Sequence, residues 1–129
     1  MAEKIKGKSE KKLPTINPCP VTETVKVIGG KWKASILWDL FQYEKLRFGE
    51  LSKLIPGVTS KMLTQQLREL EVDGVIKRSI YAVMPPKVEY SLTERGESLY
   101  PILYEMSRWG LENSSKFDDY ATTSDEEAI

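Results

Sequence analysis

Two helix-like segments joined by a tight turn, and followed by a β-hairpin pattern, occupy residues 48–93. The turn is Pro56-Gly57-Val58, and the second segment covers residues 59–73. Leucines recur in this second segment with the period of a helix: Leu63, Leu67 and Leu70. Thr59 can cap its first turn, and Gly74 can end it. This order of elements limits the chain to few architectures and predicts a mostly helical α+β fold.

The hairpin is predicted directly after the second helix. Residues 75–82 form its first strand, and residues 88–92 form its second, in which apolar and polar side chains alternate. Pro85-Pro86 cannot lie inside a paired strand and therefore marks the tip. Residues 46–48 are predicted to pair with the hairpin as a third strand. Helix, turn, helix and hairpin together predict a winged helix-turn-helix domain with a short β-hairpin wing.

A stripe of hydrogen-bonding side chains runs along the second helix, apart from the leucines. Its members lie three or four residues from one another: Lys61, Thr64, Gln65 and Arg68. Both charged members are basic, and Ser60 lies at the helix start, where the partial positive charge favours phosphate. An ordinary solvated helix face is the alternative. With a wing following, we predict that these five side chains contact base edges or nearby phosphates in the major groove of duplex DNA.

Cations also occur on or near the predicted wing: Lys77, Arg78 and Lys87. One interpretation is contact with backbone phosphates, and the other is surface charge that protects an edge strand from pairing with another chain. The basic stripe on the neighbouring helix favours the first interpretation. We take Lys87, beside the hairpin tip, as the predicted DNA contact of the wing.

The 129 residues carry no net charge, but the charge is unevenly placed. Residues 1–16 form a basic arm and residues 114–129 an acidic tail, and both have the composition of disordered segments. Residues 17–113 then remain as one domain for DNA binding and dimerisation. Because the chain as a whole is neutral, DNA binding would depend on local placement of charge rather than on a global field.

Several function classes lack their usual residues. The sequence has no histidine and one cysteine, which removes the commonest general base, the commonest metal ligand and an internal disulfide. It also has no Gly-rich phosphate loop and no apolar run of the roughly 18 residues that a membrane span needs. We therefore expect no enzyme activity, no cofactor, no metal, no membrane partner and a cytoplasmic location.

Helical segments that flank the predicted DNA-reading unit, at residues 21–28, 31–41 and 94–113, carry more apolar surface than one small domain can bury. A kink or short break is expected at Pro101 in the last of them. A second copy of the chain is the simplest partner that could bury this extra apolar surface, so we predict a homodimer. The candidates for its interface are Val25, Ile28, Leu99, Ile102, Leu103, Met106 and Trp109.

Several separate blocks of the sequence resemble the HxlR-type winged helix-turn-helix transcriptional regulators. The blocks are Cys19-Pro20-Val21 with Ile28-Gly29-Gly30-Lys31-Trp32, Arg47-Phe48-Gly49-Glu50-Leu51, residues 61–70 and 88–96, and Trp109-Gly110. They lie in register from about residue 17 to residue 113. The resemblance implies a bacterial or archaeal homodimer that binds operator DNA and uses its first and last helices as the dimer interface.

Cys19 is the residue with potential chemistry. The resemblance implies oxidant or electrophile sensing at this position in some members. Pro20 suits a first helical turn, so Cys19 would lie at a helix N-terminus, where a thiolate is stabilised. The alternative is a small helix-entry residue without a redox role. Because no second cysteine is present, oxidation would give an intermolecular disulfide, a mixed disulfide or a small-molecule adduct.

The predicted function is sequence-specific, DNA-binding transcriptional regulation by a homodimer, with a response to oxidants or electrophiles through Cys19. Two alternatives remain open. One is a winged-helix module for protein–protein interaction, which a neutral chain would suit. The other is a regulator that senses a small-molecule ligand at the dimer interface, where apolar helices can enclose a pocket.

Overall fold

The computed structural model describes residues 15–119, and its elements follow the predicted order. None of the helices in this part of the chain is long and apolar enough to cross a membrane. The elements are α1 (Pro20–Ile28), α2 (Lys33–Tyr43), β1 (Lys45–Leu46), α3 (Phe48–Leu54), α4 (Ser60–Val72), β2 (Ile76–Tyr81), β3 (Lys87–Leu92), α5 (Glu94–Glu97), α6 (Tyr100–Asn113) and a 3-10 turn (Ser115–Phe117).

Helix α4 begins and ends where the sequence predicts. The Thr59 hydroxyl accepts a hydrogen bond of 3.1 Å from the backbone N–H of Met62, which satisfies one free donor of the first turn. Gly74 follows the helix with a φ of 78°, and Gly57 takes a φ of 86° in the turn before it. Side chains with a Cβ rarely adopt such angles, so glycine fits both positions. The three leucines of α4 are buried.

Strand β3 lies at the centre of an antiparallel sheet with the order β1-β3-β2. The predicted third strand pairs with the wing, Leu46 opposite Tyr90, but it covers Lys45–Leu46 and so ends two residues before the predicted residues 46–48 do. Phe48 instead begins α3. The backbone N–H of Arg47 donates a hydrogen bond of 2.7 Å to the Glu50 carboxylate, and this contact starts the helix in place of further strand pairing.

Helix α2 is the central element of the core, with Ile36, Leu37 and Leu40 almost completely buried. Two of its aromatic side chains are also partly covered within the chain. Trp38 stacks on Tyr100 of α6 with ring centroids 6.2 Å apart, and Phe41 meets the same ring edge-on at 5.1 Å. The apolar surplus that the sequence suggests for α2 is therefore largely taken up by α6, so dimerisation need not cover it.

The predicted long C-terminal helix is broken, as Pro101 indicates. It consists of α5 and α6, separated at Ser98 and Leu99, and Pro101 lies in the first turn of α6. A first turn has no internal partner for its N–H groups, so proline costs little there. The predicted basic arm lies outside the described residues except for its last two positions.

The acidic tail is predicted to be disordered from residue 114, but its first residues form a 3-10 turn. The Ser114 hydroxyl accepts a hydrogen bond of 3.3 Å from the backbone N–H of Lys116 and caps this turn. Phe117 follows in this turn and lines a cavity together with residues of α6. Residues 120–129 lie outside the described part of the chain.

Candidate nucleic-acid interface

The polar stripe of α4 lies on the helix side opposite the buried leucines. Lys61, Gln65 and Arg68 follow one another at intervals of four and three residues, so they point in nearly the same direction. Ser60 and Thr64 lie beside them. All five predicted contacts are exposed, and none is needed to complete the core. The predicted residues therefore share one accessible surface on one helix.

Besides its buried leucines, two side-chain contacts hold helix α4 to other elements. In its last turn, Lys33 of α2 reaches Glu69 with its ammonium nitrogen 2.7 Å from a carboxylate oxygen. At the C-terminal end, the Arg95 Nε donates a hydrogen bond of 2.9 Å to the carbonyl oxygen of Asp73. A helix held in this way presents its exposed side chains from a rigid support.

The ion pair between Lys33 and Glu69 neutralises an acid close to the polar stripe. Lys33 is a buried charged residue, 8% exposed, and its partner is about half-exposed. Hydrogen bonds from Lys33 and from Gln65 lower the pKa of Glu69 below its usual value of 4.5. The Gln65 Nε2 lies 3.3 Å from the same carboxylate. The contact orients the Gln65 amide and leaves its oxygen available to a ligand.

The wing presents its cations on two different faces. Lys87 lies 3.3 Å from a Glu89 carboxylate oxygen and 5.5 Å from the centre of the Tyr81 ring, so its charge is partly used within the hairpin. Arg78 pairs across the sheet with Tyr90, and directly opposed residues project from the same face. Burial raises the pKa of Tyr90, and the charges of Arg78, Glu71 and Arg68 act on it too.

Arg78 therefore lies on the face of the wing that adjoins α4, whereas Lys87 lies on the opposite face. Arg78 is among the wing cations that the sequence shows, whereas the predicted DNA contact of the wing is Lys87. The available signal was the period of two along β2, since Arg78 shares a face with the buried Ile76. We therefore regard Arg78 as the better-placed wing cation, while a DNA contact by Lys87 stays a prediction.

Cys19 lies exposed at the N-cap of α1. The pKa of its thiol is lowered, chiefly by the nearby backbone N–H groups of Thr22 and Val21 in the first helical turn. These are the donors that a helix leaves without partners at its N-terminus. A thiol of this kind carries more thiolate at neutral pH than a free cysteine does, and thiolate is the reactive form.

The predicted dimer residues divide into two groups. Ile28 and Leu103 are 6% and 4% exposed and belong to the core of a single chain, which leaves them little surface for a partner. Their place in a dimer interface stays a prediction. Leu99 is half-buried against the same core. The other predicted residues remain exposed: Val25, Ile102, Met106 and Trp109. Helical periodicity marks an apolar helix surface but does not tell which part of it faces the core.

Three of the four exposed residues lie around a cleft between α1 and α6. The cleft has a volume of about 500 Å³, and Val25, Ile102 and Met106 line it together with Val21, which sequence reasoning did not select. Residues from the first and last long helices are thus brought together in one chain. Among residues 15–119, no group of histidine, cysteine, aspartate and glutamate side chains is arranged to hold a metal ion.

An exposed basic helix, a preceding helix and turn, and an adjoining wing define the winged helix-turn-helix class of DNA-binding domains. The model of the HxlR-like helix-turn-helix family matches residues 27–118. The HTH-type transcriptional regulator YybR of Bacillus subtilis (strain 168) is 47% identical over 114 residues, which make up 87% of this chain and 90% of that protein. The chain belongs to the HxlR family of helix-turn-helix transcriptional regulators.

Solved structures agree with this assignment. The redox regulator HypR in its oxidized form superposes with a TM-score of 0.72 at 49% identity, covering 75% of this chain and 99% of that one. The reduced form of the transcriptional regulator YodB from B. subtilis gives a TM-score of 0.66 at 33% identity, covering 78% of this chain and 98% of that one. The predicted fold class and family are thereby confirmed.

Proposed function

We propose that this transcriptional regulator binds operator DNA as a homodimer, with α4 of each subunit in the major groove. The observation that carries the proposal is the exposed stripe of Lys61, Gln65 and Arg68 on a helix held by contacts to α2 and α5. Arginine can donate two hydrogen bonds to guanine, and glutamine can pair in the same manner with adenine. Ser60 and Thr64, beside the stripe, would contact phosphates or neighbouring base edges.

The wing would contact the DNA backbone beside the groove that α4 occupies. Arg78 is the first candidate, because it shares a sheet face with Tyr90 next to Arg68. Lys87 would reach phosphates farther along the duplex. In a dimer the two α4 helices would read half-sites roughly 10 base pairs apart, centre to centre.

The test of the DNA-reading surface is the double variant Gln65→Ala, Arg68→Ala. We expect it to lose at least about 30-fold in operator affinity, because a good base contact is worth roughly 1–3 kcal/mol. Affinity would be measured by fluorescence anisotropy on a DNA fragment that the wild-type protein protects in a footprint. The matched control is Gln42→Ala, Arg108→Ala, which removes the same side chains from exposed sites on α2 and α6.

The control variant should bind as the wild type does. A folded Gln65→Ala, Arg68→Ala protein with unchanged operator affinity would overturn the assignment of α4 as the reading helix. It would favour the alternative of a winged-helix module for protein–protein interaction. Circular dichroism and a thermal melt establish that each variant is folded before its affinity is compared.

A second copy of the chain is the proposed cover for the cleft between α1 and α6. Val25, Ile102, Met106 and Trp109 are 51%, 43%, 48% and 68% exposed, which leaves much apolar surface unpartnered within one subunit. Burying a large apolar side chain is worth roughly 1.5–3 kcal/mol. A two-fold axis would let each subunit cover the same patch on the other.

Cys19 is the proposed sensor of oxidants or electrophiles. Its thiolate would attack a carbon of an electrophile such as a quinone, forming a sulfur–carbon bond, or an oxidant would convert it to a sulfenic acid or a disulfide with another molecule. Exposure and the lowered pKa support this reactivity. HypR is described as a redox regulator, and YodB was solved in both reduced and diamide-treated forms.

The sensor assignment is tested with benzoquinone, with the Cys19→Ser variant as the matched control. We expect treatment to change operator affinity in the wild type and to leave Cys19→Ser unchanged. Mass spectrometry would show one adduct per chain in the wild type alone. Because the thiol pKa is lowered in the folded chain, alkylation by iodoacetamide should reach half its maximal rate at a lower pH than in the urea-unfolded chain. Equal responses of the two proteins would eliminate the sensor while leaving operator binding intact.

A further inference from the structure

A second cavity lies on a neighbouring face of α6, between this helix, α2 and the turn that follows α3. It has a volume of about 720 Å³ and is lined largely by apolar side chains, among them Trp38, Leu54, Met106 and Phe117. On α6 this cavity is lined by Leu103, whereas the proposed dimer face includes Ile102. Consecutive residues of a helix point about 100° apart, so the two faces of α6 are neighbours. Met106 lies at the boundary between the two faces.

The cavity contains one ionisable side chain among its lining residues, and that side chain is Asp39 of α2. Its carboxylate has no hydrogen bond or ion pair with any residue in the described range of the chain. Burial raises the pKa of Asp39 to about 6, so the group is still ionised at neutral pH. A carboxylate that is partly withdrawn from water without a counter-charge is unfavourable, and a ligand cation would offset the cost.

We propose that this cavity is a binding site for small organic cations with an apolar body. The ammonium group would pair with Asp39, and the apolar body would lie against Trp38, Met106 and Phe117. The hydroxyls of Ser35 and Ser107, which also line the cavity, add hydrogen-bond acceptors for the ammonium group. An aromatic face next to an anion suits protonated amines and quaternary ammonium groups. Anions are excluded by repulsion.

The volume and lining fit a drug-sized molecule rather than a bare metal ion. Small-molecule sites are commonly apolar clefts of about 300–1,000 Å³ with few polar groups that fix orientation. A metal ion would require several ligands, whereas one carboxylate faces this cavity. The competing occupant is a lysine or arginine side chain from a second copy of the chain, and the experiment distinguishes the two.

Three probes of similar length separate charge from apolar contact: 4-phenylbutylamine, 4-phenylbutanol and 4-phenylbutyrate. Isothermal titration calorimetry with the full chain, without DNA, should show the amine binding roughly tenfold more tightly than the alcohol, since a charge-assisted hydrogen bond is worth more than a neutral one. The butyrate should not bind. The amine's advantage should disappear as the pH falls below 6, when Asp39 becomes protonated, because no other lining group titrates.

The decisive variant is Asp39→Asn, which keeps the side-chain shape and removes the charge. It should bind amine and alcohol equally, with no pH dependence between 5 and roughly 8. Glu105→Gln is the matched control, because it removes an exposed acid from α6 and should keep the preference for the amine. Equal binding of amine and alcohol by the wild type, or a preference that survives Asp39→Asn, overturns the proposal.

A third outcome would also overturn the proposal: the wild type binds no amine, and Asp39→Asn forms a weaker dimer. The Asp39 carboxylate would then pair with a cation of the second copy of the chain. Light scattering on both proteins measures this outcome. Since no DNA is present in the titrations, failure of ligand binding leaves the operator-binding proposal intact. Loss of operator binding in the α4 variants, in turn, leaves the cavity intact.

Discussion

Helix α4 and helix α6 both bury one face in the same core, but their exposed faces differ in chemistry. The exposed face of α4 carries cations and amides, with Lys61, Gln65 and Arg68 in one line. The exposed face of α6 carries Ile102, Met106 and Trp109. A polar face is already satisfied by water and gains most from a charged, hydrogen-bonding partner, while an apolar face gains from being covered. The two helices thus predict two kinds of partner, DNA and protein.

The largest expected effect separates the two faces of α6. Leu103→Asp places a charge in the core and should destabilise the folded chain by about 3–5 kcal/mol or more, enough to abolish cooperative melting. Ile102→Asp changes the neighbouring, half-exposed position and should keep the helical circular dichroism spectrum while converting the dimer to a monomer by light scattering. A folded Ile102→Asp protein that remains dimeric would show that this face of α6 is not the interface.

The next effect compares the two faces of the wing. Arg78→Ala should weaken operator and non-specific DNA binding alike, by several-fold at low salt, and should reduce the slope of log K against log salt by roughly 1. Lys87→Ala should have a smaller effect, because its ammonium group is partly occupied by Glu89 and Tyr81. The measurement is a salt titration by fluorescence anisotropy. The opposite ranking of the two variants would return the wing contact to Lys87.

The smallest effect concerns the support of α4. Glu69 has a pKa below its usual value of 4.5 because Lys33 donates a hydrogen bond to it. A carboxyl with a lowered folded pKa contributes stability above its unfolded pKa, and this contribution is lost as the pH falls through the folded pKa. Lys33→Met should therefore lower Tm by a few degrees at pH 7, and the difference from the wild type should shrink as the pH falls below 4.5.

The matched control for that melt is Lys26→Met, which breaks an exposed ion pair with Glu23 on α1. Exposed pairs of this kind contribute little, so its Tm should stay within about one degree of the wild type. A Tm for Lys33→Met that differed from the wild type equally at pH 7 and pH 3.5 would show that lost packing, and not the ion pair, is responsible.

Local sequence patterns predicted the elements well because their causes lie within a few residues. The leucine period, the Thr59 cap and the glycines specify α4, and Pro101 indicates the break before α6. The partners of individual side chains depend on distant residues. Nothing near Lys33 indicates that it pairs with Glu69, and Asp39 resembles any polar residue on an apolar helix until α6 encloses it.

The same limitation explains where the site predictions were least specific. On the broad apolar surface of α6, Leu103 and Ile102 were equally good candidates for the dimer interface. Periodicity alone does not say which side of the helix faces the core. On the wing, a period of two separates Arg78 from Lys87 but does not say which sheet face adjoins α4. Both answers depend on how whole elements pack against one another. That packing involves residues far apart in the sequence, which local patterns do not relate.

The ion pair between Lys33 and Glu69 has a mechanical consequence. It joins the start of α2 to the C-terminal part of α4, and both helices share the buried core, so we expect them to move together. In the proposed dimer, a displacement of α1 after modification of Cys19 could not tilt α4 within its own subunit. The displacement would appear as a change in the distance between the two α4 helices. Such a regulator would respond to the number of base pairs between half-sites, at about 3.4 Å each, while the bases it prefers within a half-site stay the same.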